Sequence, residues 1–566
     1  MTRTTFILRL FLSIFLASCD KPASPTVAPV ASATPSAAAP TAAKLVLDVV
    51  FSSEKKDWAG EAIAAFNLSG AKNDDGRPIE VKVVFTGSVE PIEGIVAETS
   101  KPHVFSPASS LVLPLLNDQW TGAKGGSAKP IVGTAEPLVL SPVVIAMWEP
   151  MAKALGWPQK KLGWSDIAQL AKTPAAWKTK GHPEWGEFAF GHTHPFYSNS
   201  GLIAVLAENY AAVNKTRDLE PADVTAPKTM QFVRDIEGAV VHYGRSTGFF
   251  YSSMADHGPS YLSAAVLYEN VVVASAATAQ QKPLAFPLVC LYPKEGTQWA
   301  DHPFAVLDAP WVGKPERDAA GKLRAYLMSR PVQEAALNKY GFRPALTDIP
   351  LGAPIDLAHG ADPKEPQTLL ATPNARTVRA VLDQWKDTKR GVEVVIVFDR
   401  SGSMQGERMN NAREGLVQFL KVLRPTDRAV LLSFNEKIDA PSPASAPGDL
   451  VTKAGGLFAS GGTALYDAVL RGREIAESTA NDKKRIHAVV VLTDGEDRNS
   501  TTTFVDLKGK LTPPEQGDVV RIFTIGYGAE ANEMILKTIA TQTGGVYYRG
   551  DPKNIKSIYD EIASFF

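Results

Sequence analysis

The run Val392-Glu393-Val394-Val395-Ile396-Val397-Phe398 ends in Asp399, and it restricts the fold more than any other stretch of the chain. A nearly continuous apolar run is what a central parallel strand needs when both its faces are covered. Apolar residues at helical spacing follow in "ERMNNAREGLVQFLKVL". The alternation then repeats through "RAVLLSFN", "ALYDAVLRGREIAES", "IHAVVVLTDG", "DVVRIFTIGYG", "NEMILKTIATQTGG", "VYYRG" and a last helix in "IKSIYDEIASFF". Strands alternating with helices predict a doubly wound parallel sheet over residues 391–566, with the loops at the carboxyl ends of its strands converging on one crevice.

Three of those loops carry oxygen side chains. "DRSGS" offers Asp399, Ser401 and Ser403, "SGGTALYDA" offers Thr463 just before a helix, and "LTDGED" offers Asp494 where a strand ends. Two carboxylates and three hydroxyls, with no histidine or cysteine, suit a hard cation such as Mg²⁺. Alternate spacing lets a turning chain bring Ser401 and Ser403 to the side of Asp399, and Gly402 permits the sharp path. The set falls short of the six oxygens magnesium takes, which leaves room for water and for a carboxylate from outside. The same residue types also serve as plain helix caps. Glu496 and Asp497 read as surface acids beside the site, and Asp467 as a helix residue.

This five-residue set resembles the metal-ion-dependent adhesion site of von Willebrand factor type A (VWA) domains, D-x-S-x-S with a distant Thr and Asp, and the likeness covers 391–566. The resemblance implies a Rossmann-like domain holding Mg²⁺ (or Mn²⁺ or Ca²⁺). Ser401, Ser403 and sometimes Thr463 would touch the metal directly, the aspartates would often act through water, and the acidic side chain of a protein partner would fill the open position.

The region before it opens with "KLVLDVVF", then "SSEKKDW", an amphipathic stretch and "IEVKVVF", a β-loop-α-β start that points to α/β architecture. "LVLSPVVIAMWEPMAKALGWP", "GWSDIAQL", "FGHTHPFYSNSGL", "YLSAAVLYENVVVA" and "YGFRPA" together resemble bacterial extracellular solute-binding proteins, of the type that includes molybdate and sulfate binders. That likeness implies two α/β lobes joined by crossing strands, with ligand between them. The chain is therefore expected to be α/β throughout. It comprises a two-lobed periplasmic-binding-protein-like domain (44–350), a turn-rich linker with a closing helix around Val378, Val381, Leu382 and Trp385 (351–390), and the doubly wound domain (391–566).

A small polar solute is held by backbone N–H groups at helix N-termini and by short hydroxyl side chains. Ser52, Ser53, Ser109, Ser110, Ser198, Ser200, Tyr268 and Glu269 are the candidates in the loops that the family uses. Each serine also reads as an ordinary cap. Glu269 does not suit a bare oxyanion, which leaves an organic or cationic solute, or none. "GRSTG" matches a nucleophile elbow at Ser246, with Asp301 and His302 available as partners, but "FFYSSMADHGPS" reads as a poor start for the helix an elbow needs. His192 and His194 in "GHTHP" read as a polar loop, since two histidines alone do not make a metal site.

The N-terminus is basic, then apolar from Leu10 to Ala17, too short to span a bilayer. Its end, Leu16-Ala17-Ser18-Cys19, resembles a bacterial lipobox. That implies a signal peptide over 1–19, lipid on Cys19 and a membrane anchor, and Asp20 resembles an inner-membrane retention signal. Residues 20–43 are rich in Pro and Ala and read as an extended tether, reaching roughly 70 Å at about 3.1 Å per residue. The other cysteine, Cys290, has no partner in prospect and reads as a small buried apolar residue. A net charge of −1 and the lack of basic runs with interleaved aromatics argue against nucleic acid.

The expected function is a non-enzymatic, lipid-anchored cell-envelope binding protein, facing the periplasm or exterior, whose C-terminal domain recognises a protein partner through the cation. A second reading is the solute-binding component of an ABC-type uptake system, with the C-terminal domain as a docking handle. A third is a serine hydrolase at Ser246.

Overall fold

The computed structural model describes residues 43–566 apart from 127, 174, 279–282, 512–519 and 529. Cys19, the signal sequence and nearly all of the Pro/Ala-rich tether lie outside the described residues.

The first sheet runs in the order Ile79–Thr86, Leu45–Ser52, Val104–Ser106, Pro303–Val306, Glu136–Pro137. Its first three strands are parallel, and Pro303–Val306 enters antiparallel. A second sheet forms around the long strand Val139–Trp148, which pairs with Ala264–Tyr268, Leu288–Leu291, Trp299–Ala300 and Arg343–Pro344. The chain passes between the two sheets at residues 137–139 and again at 300–303, so two lobes are linked by short crossing segments. The first lobe has its own apolar cluster, with Leu47, Phe51, Trp58, Leu323 and Phe342 among its members.

The third sheet is wholly parallel, in the order Arg428–Phe434, Gly391–Asp399, Arg485–Thr493, Arg521–Tyr527, Tyr547–Gly550. Strand order reverses on the two sides of Gly391–Asp399, so the crevice of a doubly wound sheet falls at its carboxyl end. Val394, Ile396 and Phe398 enter one apolar cluster and Val395 and Val397 another, which is why the strand tolerates no polar alternation. Helix Leu465–Thr479 lies so close to this strand that a Cβ on Gly472 would stand 2.5 Å from Val397 Cγ2.

Helix Ala375–Thr388 buries Val378, Val381, Leu382 and Trp385 against the second lobe. Trp385 meets His194 and Tyr243 edge-on, at 4.6 and 5.0 Å between ring centres. The Gln384 and Asn209 side-chain amides bond reciprocally at 2.8 and 3.0 Å. Residues Lys44–Phe566 form a single compact unit. One apolar cluster continues from the second lobe into the inner face of the parallel sheet. At that junction Arg390 donates to the Val240 carbonyl at 3.1 Å, Arg521 to that of Val241 at 3.3 Å, and the Tyr243 N–H to the Phe565 carbonyl at 3.1 Å.

His242 sits in this junction, stacked on Phe250 at 5.0 Å. Its Nδ1 lies 2.7 Å from the Tyr243 carbonyl and so donates, while Nε2 takes the Tyr261 hydroxyl. Both ring nitrogens are satisfied by the neutral imidazole. Burial first, and then the Arg521 guanidinium, hold the His242 pKa well below the ordinary histidine value. Below about pH 6.5 the unfolded chain therefore takes up a proton that the folded chain refuses, and stability falls as pH falls. Urea unfolding from about pH 7 to about pH 5 is expected to show this slope reduced in His242→Gln, by up to about 1.4 kcal/mol per pH unit. Equal slopes in the two proteins would contradict the neutral assignment.

Candidate functional site

The strand Gly391–Asp399 ends with Asp399 fully buried. Its register sets Phe398 opposite Leu492, so Asp399 is level with Thr493, and Asp494 follows directly after that adjacent strand. The Asp399 carboxylate accepts the Ser401 N–H at 2.8 Å and the Thr493 hydroxyl at 2.5 Å. Ser401 and Ser403 hydroxyls lie 3.0 Å apart, and Ser403 donates to Asp494 Oδ1 at 2.7 Å. A Cβ on Gly495 would stand 3.6 Å from Ser403 Oγ and 3.7 Å from Thr463 Oγ1, so the two hydroxyls flank the residue that follows Asp494. All five side chains predicted from the sequence are thus brought together. Asp399, Ser401, Thr463 and Asp494 are buried, and Ser403 is exposed, so the group opens to solvent at Ser403.

Gly402 serves by proximity. Its N–H donates to the Gly461 carbonyl at 2.9 Å, and a Cβ there would be 3.2 Å from that oxygen. The left-handed residue of the loop is Gly406, with φ 76°. The loop is braced by Arg400, which grips Asp439 with two bonds of 2.6 Å. Asp497 accepts the Tyr466 N–H and Asp467 those of Thr501 and Thr502, so both acids tie loops to the helix Leu465–Thr479.

Burial, foremost, pushes the Asp399 carboxyl up to about 6, with the neighbouring Asp494 acting in the same direction. Asp494 is raised by burial too. Two buried carboxylates beside three hydroxyls form a donor set of hard oxygens that fits a divalent cation such as Mg²⁺. The sequence reading missed Arg408, which donates to Asp494 Oδ2 at 2.9 Å and to Glu530 at 3.0 Å. Its signal was a cation two residues past Gly406, at the start of the helix Glu407–Val422.

Seven of the eight solute candidates fall into three groups. Ser198, Ser200 and Tyr268 belong to a buried hydroxyl network, with Ser200 bonded to Thr193 at 2.8 Å and to Thr247 at 2.7 Å, and Asn199 Nδ2 to Tyr268 at 3.2 Å. Ser52 accepts from Lys55 at 2.9 Å, on the first lobe, while Ser53 starts the short turn that carries Glu54 and Lys55. Ser109 donates to the Trp299 carbonyl at 3.3 Å and the Ser110 N–H to Asp301 at 2.7 Å, which makes them part of a crossing segment's framework.

The lobes touch where the Val89 N–H meets the Tyr197 carbonyl at 3.3 Å and Arg245 meets Glu90 at 2.9 Å. The first lobe also carries Glu54 and Lys55, unremarked in the sequence reading although a charged pair directly after a buried strand was visible there. Lys55 bonds Ser52 and the Ser106 carbonyl, and its Nζ is 3.4 Å from His302. His302 in turn is 6.3 Å from the Tyr268 ring. Burial raises the Glu54 carboxyl and lowers the Lys55 ammonium. Glu54 Oε2, Ser106 Oγ, His302 Nε2 and Asn199 Oδ1 are buried without a hydrogen-bond partner among the described residues.

A helix, Thr247–His257, does follow Ser246, contrary to the sequence expectation. Only an isolated bridge at Val240, and no strand, precedes it. Asp301 and His302 are engaged with Ser110 and Lys55.

A family model for bacterial extracellular solute-binding proteins matches residues 47–343, and one for the von Willebrand factor type A domain matches 393–561. The bovine (Bos taurus) inter-alpha-trypsin inhibitor heavy chain H4 is 26% identical over 186 residues, 30% of this chain and 20% of its own length. The human protein is 27% identical over the same extent. This chain thus spans about a fifth of those relatives. Among solved structures, a periplasmic thiamin binding protein covers 61% of this chain and 96% of its own at 15% identity and TM-score 0.42. A von Willebrand factor type A structure from Catenulispora acidiphila covers 31% and 42% at 21% identity and TM-score 0.28.

Glu269 stands apart from the other solute candidates. Its carboxylate is clasped by Arg343 at 2.7 and 2.6 Å and takes the Tyr292 hydroxyl, with Glu269 wholly buried. Arg343→Met strands this anion and is expected to lower the unfolding free energy by about 3–5 kcal/mol, whereas the double change with Glu269→Met should recover most of the loss. Urea unfolding of the three proteins checks this, and a double variant no better than the single one would contradict it.

Proposed function

Because the chain belongs to the bacterial extracellular solute-binding protein family and carries a von Willebrand factor type A domain behind that region, we propose that it is a cell-envelope binding protein that recognises a protein partner through a divalent cation. Asp399, Ser401, Ser403, Thr463 and Asp494 are the residues that would hold the cation. The observation that carries this reading is the chain of bonds from Asp399 through Ser401 and Ser403 to Asp494 at the carboxyl ends of adjacent strands. A cation held there supplies an electropositive point for an outside carboxylate. Ser403 is exposed, and Phe458, 69% exposed, lies 6.0 Å from the Arg400 guanidinium beside the same loop, so a partner would find the centre accessible and an apolar contact next to it. Arg408 would give up or share Asp494 when the cation enters. No helix among the described residues is long and apolar enough to cross a membrane. The membrane link in this reading is a lipid on Cys19.

The two lobes favour a second, compatible role in holding a small polar solute. Four buried polar atoms, drawn from both lobes, have no hydrogen-bond partner among the described residues, and such atoms in native proteins call for an occupant or water.

Calorimetry is expected to show Mg²⁺ binding in the wild-type chain and none in Asp399→Ala or Asp494→Ala. Unchanged affinity in both variants would remove the cation from this site. Capture of envelope proteins on the immobilised chain should then depend on Mg²⁺, fail with EDTA, and fail with Asp494→Ala. For the lobes, a thermal-shift screen of anions, sugars and amino acids should give a ligand that stabilises the wild type and has less effect on Asn199→Ala. A screen in which nothing stabilises the chain would count against the solute role.

A further inference from the structure

Outside both sites, three ionisable side chains meet in the interior of the second lobe. His192, Glu208 and Glu237 are each 0% exposed, and a donor atom from each lies within 4.8 Å of the other two. They come from three elements: the loop after strand Phe190–Gly191, helix Asn199–Val213, and the last residue of helix Pro227–Glu237. Helix Asn199–Val213 is buried at every residue from Asn199 through Tyr210, an environment in which a glutamate is costly unless something offsets it.

The side chains themselves meet the cost of one carboxylate, Glu237, through His192 and Tyr243, and leave that of Glu208 unmet. His192 Nδ1 lies 2.8 Å from the Thr193 carbonyl, an acceptor, so Nδ1 carries a proton and donates it. That bond fixes the ring and aims Nε2 at Glu237 Oε1, 3.0 Å away. An imidazolium would donate there and pair with Glu237, whereas a neutral imidazole would set a lone pair against the carboxylate; in neither form is a donor left for Glu208. Glu237 Oε2 is occupied by the Tyr243 hydroxyl at 2.5 Å. Both oxygens of Glu208 have no hydrogen-bond partner among the described residues. The nearby ammonium of Lys389 is directed elsewhere: it donates to the Phe566 carbonyl and lies over the rings of Tyr243 and Trp385, at 5.8 and 5.4 Å.

We propose that His192, Glu208 and Glu237 bind a structural divalent transition-metal ion, zinc being the ion that one imidazole and two carboxylates suit. Two donors on a tetrahedral zinc at about 2.0–2.1 Å stand about 3.3 Å apart, close to the observed Nε2–Oε1 separation. Two carboxylates and a neutral imidazole also balance the charge of a dication, so the enclosed group becomes neutral as a whole. The Nδ1 bond to a backbone carbonyl is the outer support that metal-bound histidines usually have. The group is fully enclosed, so the ion enters as the chain folds and contributes to folding.

The test uses the full chain purified without chelator, alongside Asp494→Ala, which removes the cation site of the C-terminal domain, and Glu208→Gln. Metal content by plasma mass spectrometry is expected to show one zinc per chain in the wild type and in Asp494→Ala, and none in Glu208→Gln. Refolding the wild type in EDTA should lower its melting temperature to that of Glu208→Gln. Three results would overturn the proposal: no zinc in wild type refolded with zinc, zinc retained by Glu208→Gln, or zinc lost in Asp494→Ala. A Glu208→Gln chain that is metal-free like the wild type and equally or more stable would identify a proton-sharing network instead. Should Glu208→Gln not fold, X-ray absorption of the zinc-bound wild type decides: a shell with a single imidazole and oxygen donors supports the assignment, and a shell without imidazole overturns it.

Discussion

The strand Gly391–Asp399 is covered on both faces, and a carboxylate at its end cannot turn away into water. Asp399 is at 0% exposure and takes its two bonds from groups of its own loop and of the next strand. Every other part of the C-terminal site follows from that constraint. The loop has to turn tightly enough to bring Ser401 and Ser403 over the buried anion, and the 2.9 Å bond from Gly402 to the Gly461 carbonyl makes the turn close on the loop that carries Thr463. The neighbouring strand delivers Asp494 to the same place. Repulsion between the two carboxylates is then moderated by hydroxyl donors and by Arg408, the cation that the chain itself provides.

The same sheet is fastened to the second lobe by bonds to main-chain carbonyls. Arg390 and Arg521 hold the carbonyls of Val240 and Val241, which precede His242 and Tyr243. Tyr243 in turn bonds Glu237 and packs on Trp385. A short segment of the second lobe thus touches the parallel sheet on one side and the buried His192–Glu208–Glu237 group on the other. With an apolar cluster continuous across the junction, the sheet and this lobe are packed as one body.

What could be read in the sequence was what local pattern determines. The apolar runs predicted the parallel strands, and ligand-type residues at strand ends predicted which side chains would converge, since a strand's register carries its last residue to a known edge. Long-range pairing was not legible. Glu269 looked like a cleft residue because it follows a buried strand, yet its partner Arg343 is 74 positions away. His192 read as part of a polar loop, and it is a loop residue. Its burial comes from helices whose packing no local pattern encodes. The helix after Ser246 was misjudged from its aromatic and serine content, because tertiary packing outweighs weak helix propensity.

The buried ionisable groups sort by how their charge is met, and the sorting separates scaffold from site. Glu269 has Arg343 and Tyr292, so its cost is met within the chain and its role is structural. Asp399 has only neutral donors, Glu54 leaves one oxygen unbonded among the described residues, and Glu208 leaves both; Glu393 also leaves both unbonded, but the Arg428 guanidinium stands 3.7 Å from it and meets its charge. A fold does not keep such groups for stability, since an apolar side chain of similar size would pack there at lower cost. In the reading proposed above, Asp399, Glu54 and Glu208 are kept because something from outside the chain binds there. The three places differ in access: open at Ser403, half-buried at Glu54, and wholly enclosed at Glu208. In the proposed reading the first takes a partner, the second a solute, and the third an ion during folding.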